Sequence, residues 1–195
     1  MKTLARVLLI LIACSTSGLQ AQSPFCAAPT TNGPADGDYI ARVILGTTPA
    51  IDNITTFVPG IDYQDYTLYG NGTVTRLAPG GFYFLTIQAG TFVGDDFAAW
   101  IDFDNSGDFD ASELVADQFN TSAGQSLLFS FTVPADAREG YRRMRVRCAF
   151  NMVTPDPCGT FDHGETEDYT VLIDDGEPCI PLFSHGNSEG DEITL

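Results

Sequence analysis

The sequence predicts an all-β fold, an antiparallel β-sandwich, from three features of its residue pattern. No stretch shows sustained apolar spacing at about 3.6 residues, which an amphipathic helix would require. Short runs of β-branched and aromatic residues instead alternate with clusters of Gly, Pro, Asn and Asp. In the clearest runs apolar and polar residues alternate one by one, which is typical of strands with one buried face.

The strands differ in how clearly their faces can be assigned. In 127–133 every second residue is apolar, and in 142–150 three arginines (Arg143, Arg145 and Arg147, here called the arginine stripe) alternate with apolar residues. Both faces of 38–45 are largely apolar, which predicts an internal strand. The other predicted strands are 64–69, 81–88, 97–103 and 167–173.

The charge balance excludes nucleic acid as a partner. The chain has 26 acidic and 9 basic side chains and a formal net charge of −17, whereas phosphate backbones are bound through Lys and Arg. Hydrophobic residues make up 44% of the chain, which is enough for a folded core. Such an acid excess destabilises a compact state unless cations or local pairing offset it, so the composition already suggests a bound divalent metal.

Residues 1–21 are predicted to be an export signal. A basic start and a short apolar run precede Ala21, the small residue that cleavage requires. The apolar run is shorter than the ~18 residues that span a bilayer, so no membrane span is expected. The alternative is lipoprotein processing, because the four residues that end at Cys14 fit a lipobox. Both routes predict a protein that is secreted or held at the cell surface.

Cleavage at Ala21 would remove Cys14 and leave four of the five cysteines. An even number in an exported chain predicts disulfides, with more than one pairing open. Cys148 and Cys158 are the first choice, because they flank a short Pro-containing loop. Cys26 would then pair with Cys179 or with a residue beyond this chain.

The sandwich domain is predicted to span 22–176, and 177–195 to begin a second, truncated related module or a linker. Cys26 precedes a Gly-Asp pair by 11 residues, and Cys179 precedes another Gly-Asp pair by the same 11. Repetition of this kind indicates a fragment of a tandem array within a longer protein.

The most specific local signal is an acidic loop at 102–113. Oxygen-bearing residues and a glycine follow the spacing of the twelve-residue Ca²⁺ loop. Gly107 permits the sharp bend, the Asp108 carbonyl can contribute, and Glu113 can close the site with two oxygens. The predicted metal ligands are Asp102, Asp104, Ser106, Asp108, Asp110 and Glu113.

The flanks of this loop differ from those of an EF-hand. A predicted strand precedes the loop, and no amphipathic helix follows Glu113. We therefore expect a structural Ca²⁺ on a strand-borne loop rather than a sensor that opens on binding. Mg²⁺ is disfavoured, because it prefers fewer protein ligands. The alternative is an acidic surface turn without an ion, since Asp, Asn, Ser and Gly also favour turns.

Gly164–Tyr169 places three acids at the start of the last predicted strand, although acids are poor strand formers. Alternation puts Glu165 and Glu167 on one face and Asp168 on the other. A carboxylate that faces a core needs a partner or a metal, so we predict that Glu167 or Asp168 pairs with the arginine stripe. Two alternatives are a second cation site at Glu165 or Asp168 and an anion-binding stripe, which the surrounding acids disfavour.

Taken together, these motifs resemble the GEVED domain family, over about residues 26–174. The resemblance rests on Asp38-Tyr39-Ile40, Tyr63 to Thr67, Trp100 to Phe103 with the acidic loop, Phe131 to Ala137, Arg143 to Arg147, Cys158-Gly159 and Gly164 to Val171. Thr166 stands where the family name has valine. The resemblance implies a non-catalytic β-sandwich accessory module of secreted, multi-domain bacterial proteins, found beside peptidase, adhesion and sorting modules.

We expect no enzyme activity, because His163 and His185 have no zinc or catalytic spacing and no GxSxG occurs. The expected function is a calcium-stabilised structural or adhesive module that contacts neighbouring domains of its parent, glycans or a cell-surface protein. The alternative is a carbohydrate-binding module accessory to a secreted hydrolase or peptidase, for which Tyr63, Tyr66 and Tyr69 are clustered candidates, although their spacing does not form an obvious flat platform.

Overall fold

The computed structural model describes residues 25–46, 51–67, 74–152 and 156–176. Its strands are β1 (Ile40–Leu45), β2 (Ile51–Ile54), β3 (Tyr63–Tyr66), β4 (Thr75–Leu77), β5 (Phe82–Ala89), β6 (Asp95–Ile101), β7 (Leu114–Phe119), β8 (Ser126–Thr132), β9 (Gly140–Phe150) and β10 (Gly164–Ile173), with short 3-10 turns at Ala35–Gly37 and Ala111–Glu113. None of the helical segments in these ranges has the length and apolar character to cross a membrane. The predicted signal at 1–21 and the predicted second module at 177–195 lie outside the described residues.

Two sheets pack face to face, which confirms the predicted β-sandwich. The first sheet has the order β2-β1-β5-β8 and is antiparallel throughout. The second has the order β3-β10-β9-β6-β7. β4 pairs with β10 on the same side as β3, further along the strand. Because β3 and β4 run parallel to β10, the second sheet is mixed. β1 is an internal strand, as its two apolar faces predicted.

Strand alternation builds the core between the sheets. In β9, Met144, Val146 and Cys148 are fully buried toward the first sheet, where Leu127 and Phe131 of β8 meet them in the same apolar cluster. Since side-chain direction reverses at each residue of a strand, the arginine stripe faces the outer side of the second sheet.

A second apolar cluster covers this outer face of the second sheet. It comprises Ala98, Trp100, Phe109, Ala149 and Met152, with Phe25, Leu114 and Phe161 packed against it. Phe25 comes from the segment before β1, Phe109 from the acidic loop and Phe161 from the connection between β9 and β10. Three non-strand segments therefore form a third layer over the arginine stripe.

A disulfide joins Cys26 to Cys158, whose Cα atoms are 5.6 Å apart. The predicted pairing of Cys148 with Cys158 is therefore wrong, and Cys26 is not available to Cys179. The reason is strand alternation: Cys148 points into the core, where burial raises the pKa of its thiol, whereas Cys158 lies in the layer over the opposite face. The prediction was based on proximity in the sequence and did not consider which face of the sheet each cysteine occupies.

Removing this disulfide should lower the free energy of unfolding by about 2–5 kcal/mol, because it links residues separated by 132 positions. Urea unfolding with and without reductant measures the effect. Reductant should lower the midpoint of the wild type and of Cys148→Ala, which retains the cross-link. It should leave the double variant Cys26→Ser/Cys158→Ser unchanged. A wild-type midpoint that is insensitive to reductant would contradict the assignment.

Candidate functional site

The acidic loop 102–113 connects β6 to β7 at one end of the second sheet. A single 3-10 turn separates its ligand-rich part from β7, so both flanks are strands, as predicted. The backbone N–H of Asp102 donates to the carbonyl of Arg143 (3.0 Å), and the N–H of Arg138 donates to the carbonyl of Phe103 (2.8 Å). The loop is thus tied to β9 and to the segment that precedes it.

Three carboxylates converge in this loop. Asp102, Asp104 and Glu113 each place an oxygen within 4.8 Å of the others. Asp102 and Glu113 are buried and Asp104 is exposed, so the cluster has a buried floor and an open side. A hard cation binds through such oxygen groups, and the three side chains together could hold one.

Backbone N–H groups orient the buried carboxylates. Asp102 accepts from the N–H groups of Ser106 (3.0 Å) and Gly107 (3.2 Å), and Glu113 accepts from the N–H of Asp110 (2.9 Å). Gly107 has a φ of 88°, in the left-handed region that favours glycine. The bend predicted at this glycine is what brings the two ends of the loop together.

The other predicted ligands are exposed. Asp108 and Asp110 lie outside the three-carboxylate group. The Ser106 hydroxyl accepts from the N–H of Asp108 (3.3 Å), and the Asp110 carboxylate accepts from the N–H of Glu113, which caps the 3-10 turn. Ligation by these three residues stays a prediction.

Burial and hydrogen bonding act in opposite directions on the acids of the loop. Burial raises the pKa of Asp102 and of Glu113, and backbone N–H groups offset this only in part. The hydrogen bond with Ser106 lowers the pKa of Asp104. Because a nearby cation favours the ionised carboxylate, a bound metal would stabilise the form that burial disfavours, and its affinity would rise with pH.

Arg145 joins four parts of the fold on the outer face of the second sheet. Its guanidinium donates to both carboxylate oxygens of Asp168 on β10 (2.8 and 2.9 Å) and to the carbonyls of Cys26 and Pro157 (both 2.9 Å). Its Cζ lies 5.2 Å from the ring centroid of Phe109 in the acidic loop. Of the two acids predicted to pair with the arginine stripe, Asp168 is the one that does so. Arg145 also holds both segments that the disulfide links.

Arg147 directs its hydrogen bonds to neutral oxygens. Its Nε donates to the Thr166 hydroxyl (3.1 Å), and its Nη atoms donate to the carbonyls of Asp156 (2.8 Å), Gly159 (2.9 Å) and Ala28 (3.2 Å). Burial and the neighbouring guanidinium on β9 lower its pKa to about 10. Thr166, which stands where the family name has valine, therefore supplies a buried hydroxyl that accepts from Arg147 and that valine would lack.

The inner-face acids of β10 have separate partners. Glu165 accepts from the N–H of Ile40 (2.8 Å) at the start of β1, and Glu167 accepts from the hydroxyl of Tyr169 (2.6 Å). The second oxygen of Glu167 is buried without a hydrogen-bond partner. Burial, and then the charge of Glu165, raise the pKa of Glu167 to about 8. Glu167 is therefore mainly protonated at neutral pH.

Sequence reasoning missed a buried acid pair, Asp38 before β1 and Asp95 at the start of β6. Both are buried, and neither Asp95 oxygen has a hydrogen-bond donor. Burial, followed by the adjacent Asp38, raises the pKa of Asp95 to about 8, because both disfavour its charged form. Strand alternation could have indicated this buried acid, because it places Asp95 on the same inner face as the apolar residues Phe97 and Ala99.

The two described tyrosines of the candidate sugar contact, Tyr63 and Tyr66, do not share one surface. Tyr63 is 41% exposed, and its hydroxyl donates to Asp168 (2.9 Å). Tyr66 packs against the core and stacks on Tyr169, with ring centroids 5.4 Å apart. Tyr69 lies outside the described residues. The two described tyrosines therefore cannot stack on one sugar face together.

The described residues form a β-sandwich in which the loop between β6 and β7 carries three converging carboxylates. Residues 96–172 match the model of the GEVED domain family, which confirms the predicted resemblance over this range. The matched range contains the acidic loop, the arginine stripe and the acids of β10.

The other two comparisons concern curated proteins and solved structures. No curated protein matches the chain. A solved family 123 glycoside hydrolase from Clostridium perfringens, described in terms of glycolipid glycan hydrolysis, is similar over 57% of this chain and 23% of its own, with a TM-score of 0.27 and 9% identity. The match thus spans about a quarter of that enzyme, and it carries no argument about function.

Proposed function

We propose that this chain is a calcium-stabilised, non-catalytic module of an exported multi-domain bacterial protein, with a structural or adhesive role. The observation that supports it best is the convergence of the buried Asp102 and Glu113 carboxylates with Asp104 in the loop between β6 and β7. Ca²⁺ suits this donor set, because it takes six to eight oxygen ligands in flexible geometry. Ser106, Asp110 and the Asp108 carbonyl would complete its coordination.

The contacts of the loop explain how an ion there would stabilise the whole domain. Phe109 packs against Trp100 and Phe25, with ring centroids 6.5 and 4.9 Å apart, and Arg145 lies over its face. An ion that fixes the loop would therefore fix the third layer over the second sheet. A ligand that binds only the folded state stabilises it by about 2.7 kcal/mol at a hundredfold excess over its Kd.

Glu113→Gln should weaken Ca²⁺ binding by roughly tenfold or more, because it removes the bidentate carboxylate that closes the loop. The increase in melting temperature on adding Ca²⁺ to chelator-treated protein should shrink accordingly. Glu139→Gln is the matched control, since Glu139 is exposed and outside the carboxylate cluster. A Glu113→Gln protein with the full wild-type response to Ca²⁺ would exclude this loop as the site.

Two further observations support the module's proposed setting. Disulfides persist in oxidising compartments, so the Cys26–Cys158 bond supports export. The outer face of the first sheet exposes large apolar side chains, Phe82 (61%), Phe84 (57%) and Leu128 (64%). A clustered apolar surface of this kind favours contact with another protein surface, and a neighbouring domain of the parent is the partner we propose for it.

A further inference from the structure

The strand β8 lies at an edge of the first sheet, where it pairs with β5 and with no other strand of the described residues. A free strand edge presents unpaired N–H and C=O groups, which proteins commonly protect with charged side chains, prolines or bulges. Each other edge strand that the structure describes carries a charged side chain: Asp52 in β2, Asp65 in β3, Arg76 in β4 and Asp117 in β7. β8 has seven residues, none of them charged or proline, and its register against β5 is unbroken. It is therefore the least protected of these edges.

Hydrogen bonds beyond the two ends of β8 show which of its backbone groups β5 uses. The N–H of Ala89 donates to the carbonyl of Gln125 (2.8 Å). The N–H of Val133 donates to the carbonyl of Gly81 (2.9 Å). Both bonds continue the register of β5 with β8, in which hydrogen-bonded and non-hydrogen-bonded pairs alternate, so the odd-numbered residues of β8 bond to β5. The residues whose N–H and C=O groups point away from β5 are then Ser126, Leu128, Ser130 and Thr132, all exposed.

We propose that this edge pairs antiparallel with β8 of a second copy of the chain, about a two-fold axis at Phe129. The axis places Leu128 of one copy opposite Ser130 of the other, and Ser126 opposite Thr132. In this register every outward-facing N–H and C=O of both strands lies in a hydrogen-bonded pair. A two-fold interface is self-complementary, as the commonest interfaces of soluble oligomers are, and the two first sheets would become one continuous sheet.

The composition of β8 favours its own copy as the occupant of the edge. Segments of about six or seven residues that have high β-propensity, low charge and no proline are those that pair with identical segments, and β8 is such a segment. The residues that meet across the axis are uncharged, so this edge avoids the like-charge pairs that destabilise a ladder. The segment after Gly176 suits the edge less, because Pro178 and Pro181 cannot donate to a ladder.

Edge pairing is compatible with the function proposed above and does not depend on calcium. Phe82 and Phe84 point to the outer face of the first sheet, so they stay open to a neighbouring domain when β8 is paired. The acidic loop belongs to the second sheet, and none of its residues lies in β8. The inference therefore goes beyond the proposed function, and a dimer without a Ca²⁺ response, or the reverse, would separate the two.

Sedimentation velocity of the whole protein over a range of concentrations tests the pairing. Physiological salt, about 0.15 M, is the condition, because it screens the repulsion between two acidic copies. A monomer–dimer equilibrium is expected. Ser130→Pro should weaken it by roughly tenfold or more, because proline removes an outward N–H from each copy and blocks the approach of the second strand. The bonds of β8 to β5 do not use this N–H, so circular dichroism and the melting temperature should show a folded variant.

Two further substitutions at the same position complete this test. Ser130→Ala is the matched control and should dimerise as the wild type does. Ser130→Glu keeps every backbone donor and brings two carboxylates close to the axis, so it should also weaken the dimer, and it decides the point if the proline variant does not fold. A wild type that stays monomeric at all concentrations overturns the proposal. A dimer that neither Ser130→Pro nor Ser130→Glu weakens overturns it as well.

Cross-linking between copies tests the register. Opposite residues of a hydrogen-bonded antiparallel pair have Cα atoms about 5.5 Å apart, a separation that a disulfide spans. Mild oxidation of a mixture of Leu128→Cys and Ser130→Cys proteins should give a dimer joined between positions 128 and 130, identified by mass spectrometry. A mixture of Leu128→Cys and Ser126→Cys is the control and should give much less, because the axis does not place these positions opposite each other. Equal yields in the two mixtures, or a dimer without the 128–130 link, overturn the pairing.

Discussion

Replacing Arg145 with Ala is expected to lower the free energy of unfolding by about 3–5 kcal/mol, the cost of breaking a buried ion pair by removing one partner. Arg145 is 2% exposed and Asp168 is fully buried. The substitution also leaves the carbonyls of Cys26 and Pro157 without their donor. The effect should therefore spread beyond the sheet to the segments that cover it.

Urea unfolding followed by circular dichroism measures the loss of stability, and the single tryptophan reports where it occurs. Trp100 lies beside Arg145 in the register of β6 and β9, and it belongs to the outer cluster. Its emission should shift to longer wavelength in Arg145→Ala, as water reaches that layer. Arg42→Ala, which removes an exposed pair with Asp52, should have little effect. Similar losses in the two variants would show that the stripe contributes no more than surface charge.

Raising the pH should destabilise this protein through its buried neutral acids. The pKa of Glu167 rises from 4.5 to about 8 on folding, so its contribution is fully present below about pH 4.5 and is lost as the pH rises through about 8. One pKa unit corresponds to about 1.4 kcal/mol, which gives a loss on the order of 4 kcal/mol over this window. Asp95, whose pKa is also raised by burial, adds to the same slope.

Glu167→Gln separates this effect from general charge repulsion. The amide cannot ionise and can still accept from the Tyr169 hydroxyl, so the variant should lose less stability than the wild type between about pH 5 and pH 9. Glu139→Gln removes one exposed carboxylate and should keep the wild-type slope. Melting temperatures across this pH range decide the point, and parallel curves for Glu167→Gln and the wild type would contradict a neutral Glu167.

The face of each strand could be predicted from the sequence because alternation is a local property. The same pattern placed the stripe opposite Met144, Val146 and Cys148. It also separated Asp168 from Glu165 and Glu167, but it left open which of these acids faces the stripe. Asp168 and Arg145 are direct neighbours across β10 and β9. Their pairing was predictable once the two strands were assumed to be adjacent.

The remaining features depend on contacts between residues far apart in the chain. Cys26 and Cys158 meet because the segment before β1 crosses the outer face of the second sheet, which no local pattern indicates. The parallel pairing of β3 and β4 with β10 is likewise a matter of chain path. In the acidic loop, the spacing identified Asp102, Asp104 and Glu113 as neighbours. Asp108 and Asp110 are exposed and lie outside this group, and their part in ligation stays a prediction.

Isothermal calorimetry of Ca²⁺ added to chelator-stripped protein tests the central claim most directly. We expect a saturable heat with one ion per chain, a melting temperature that rises with free Ca²⁺, and loss of both in Glu113→Gln. Absence of heat, together with an unfolding transition that ignores the ion, would contradict it. The converging carboxylates of the loop would then be an acidic turn held together by its own backbone hydrogen bonds.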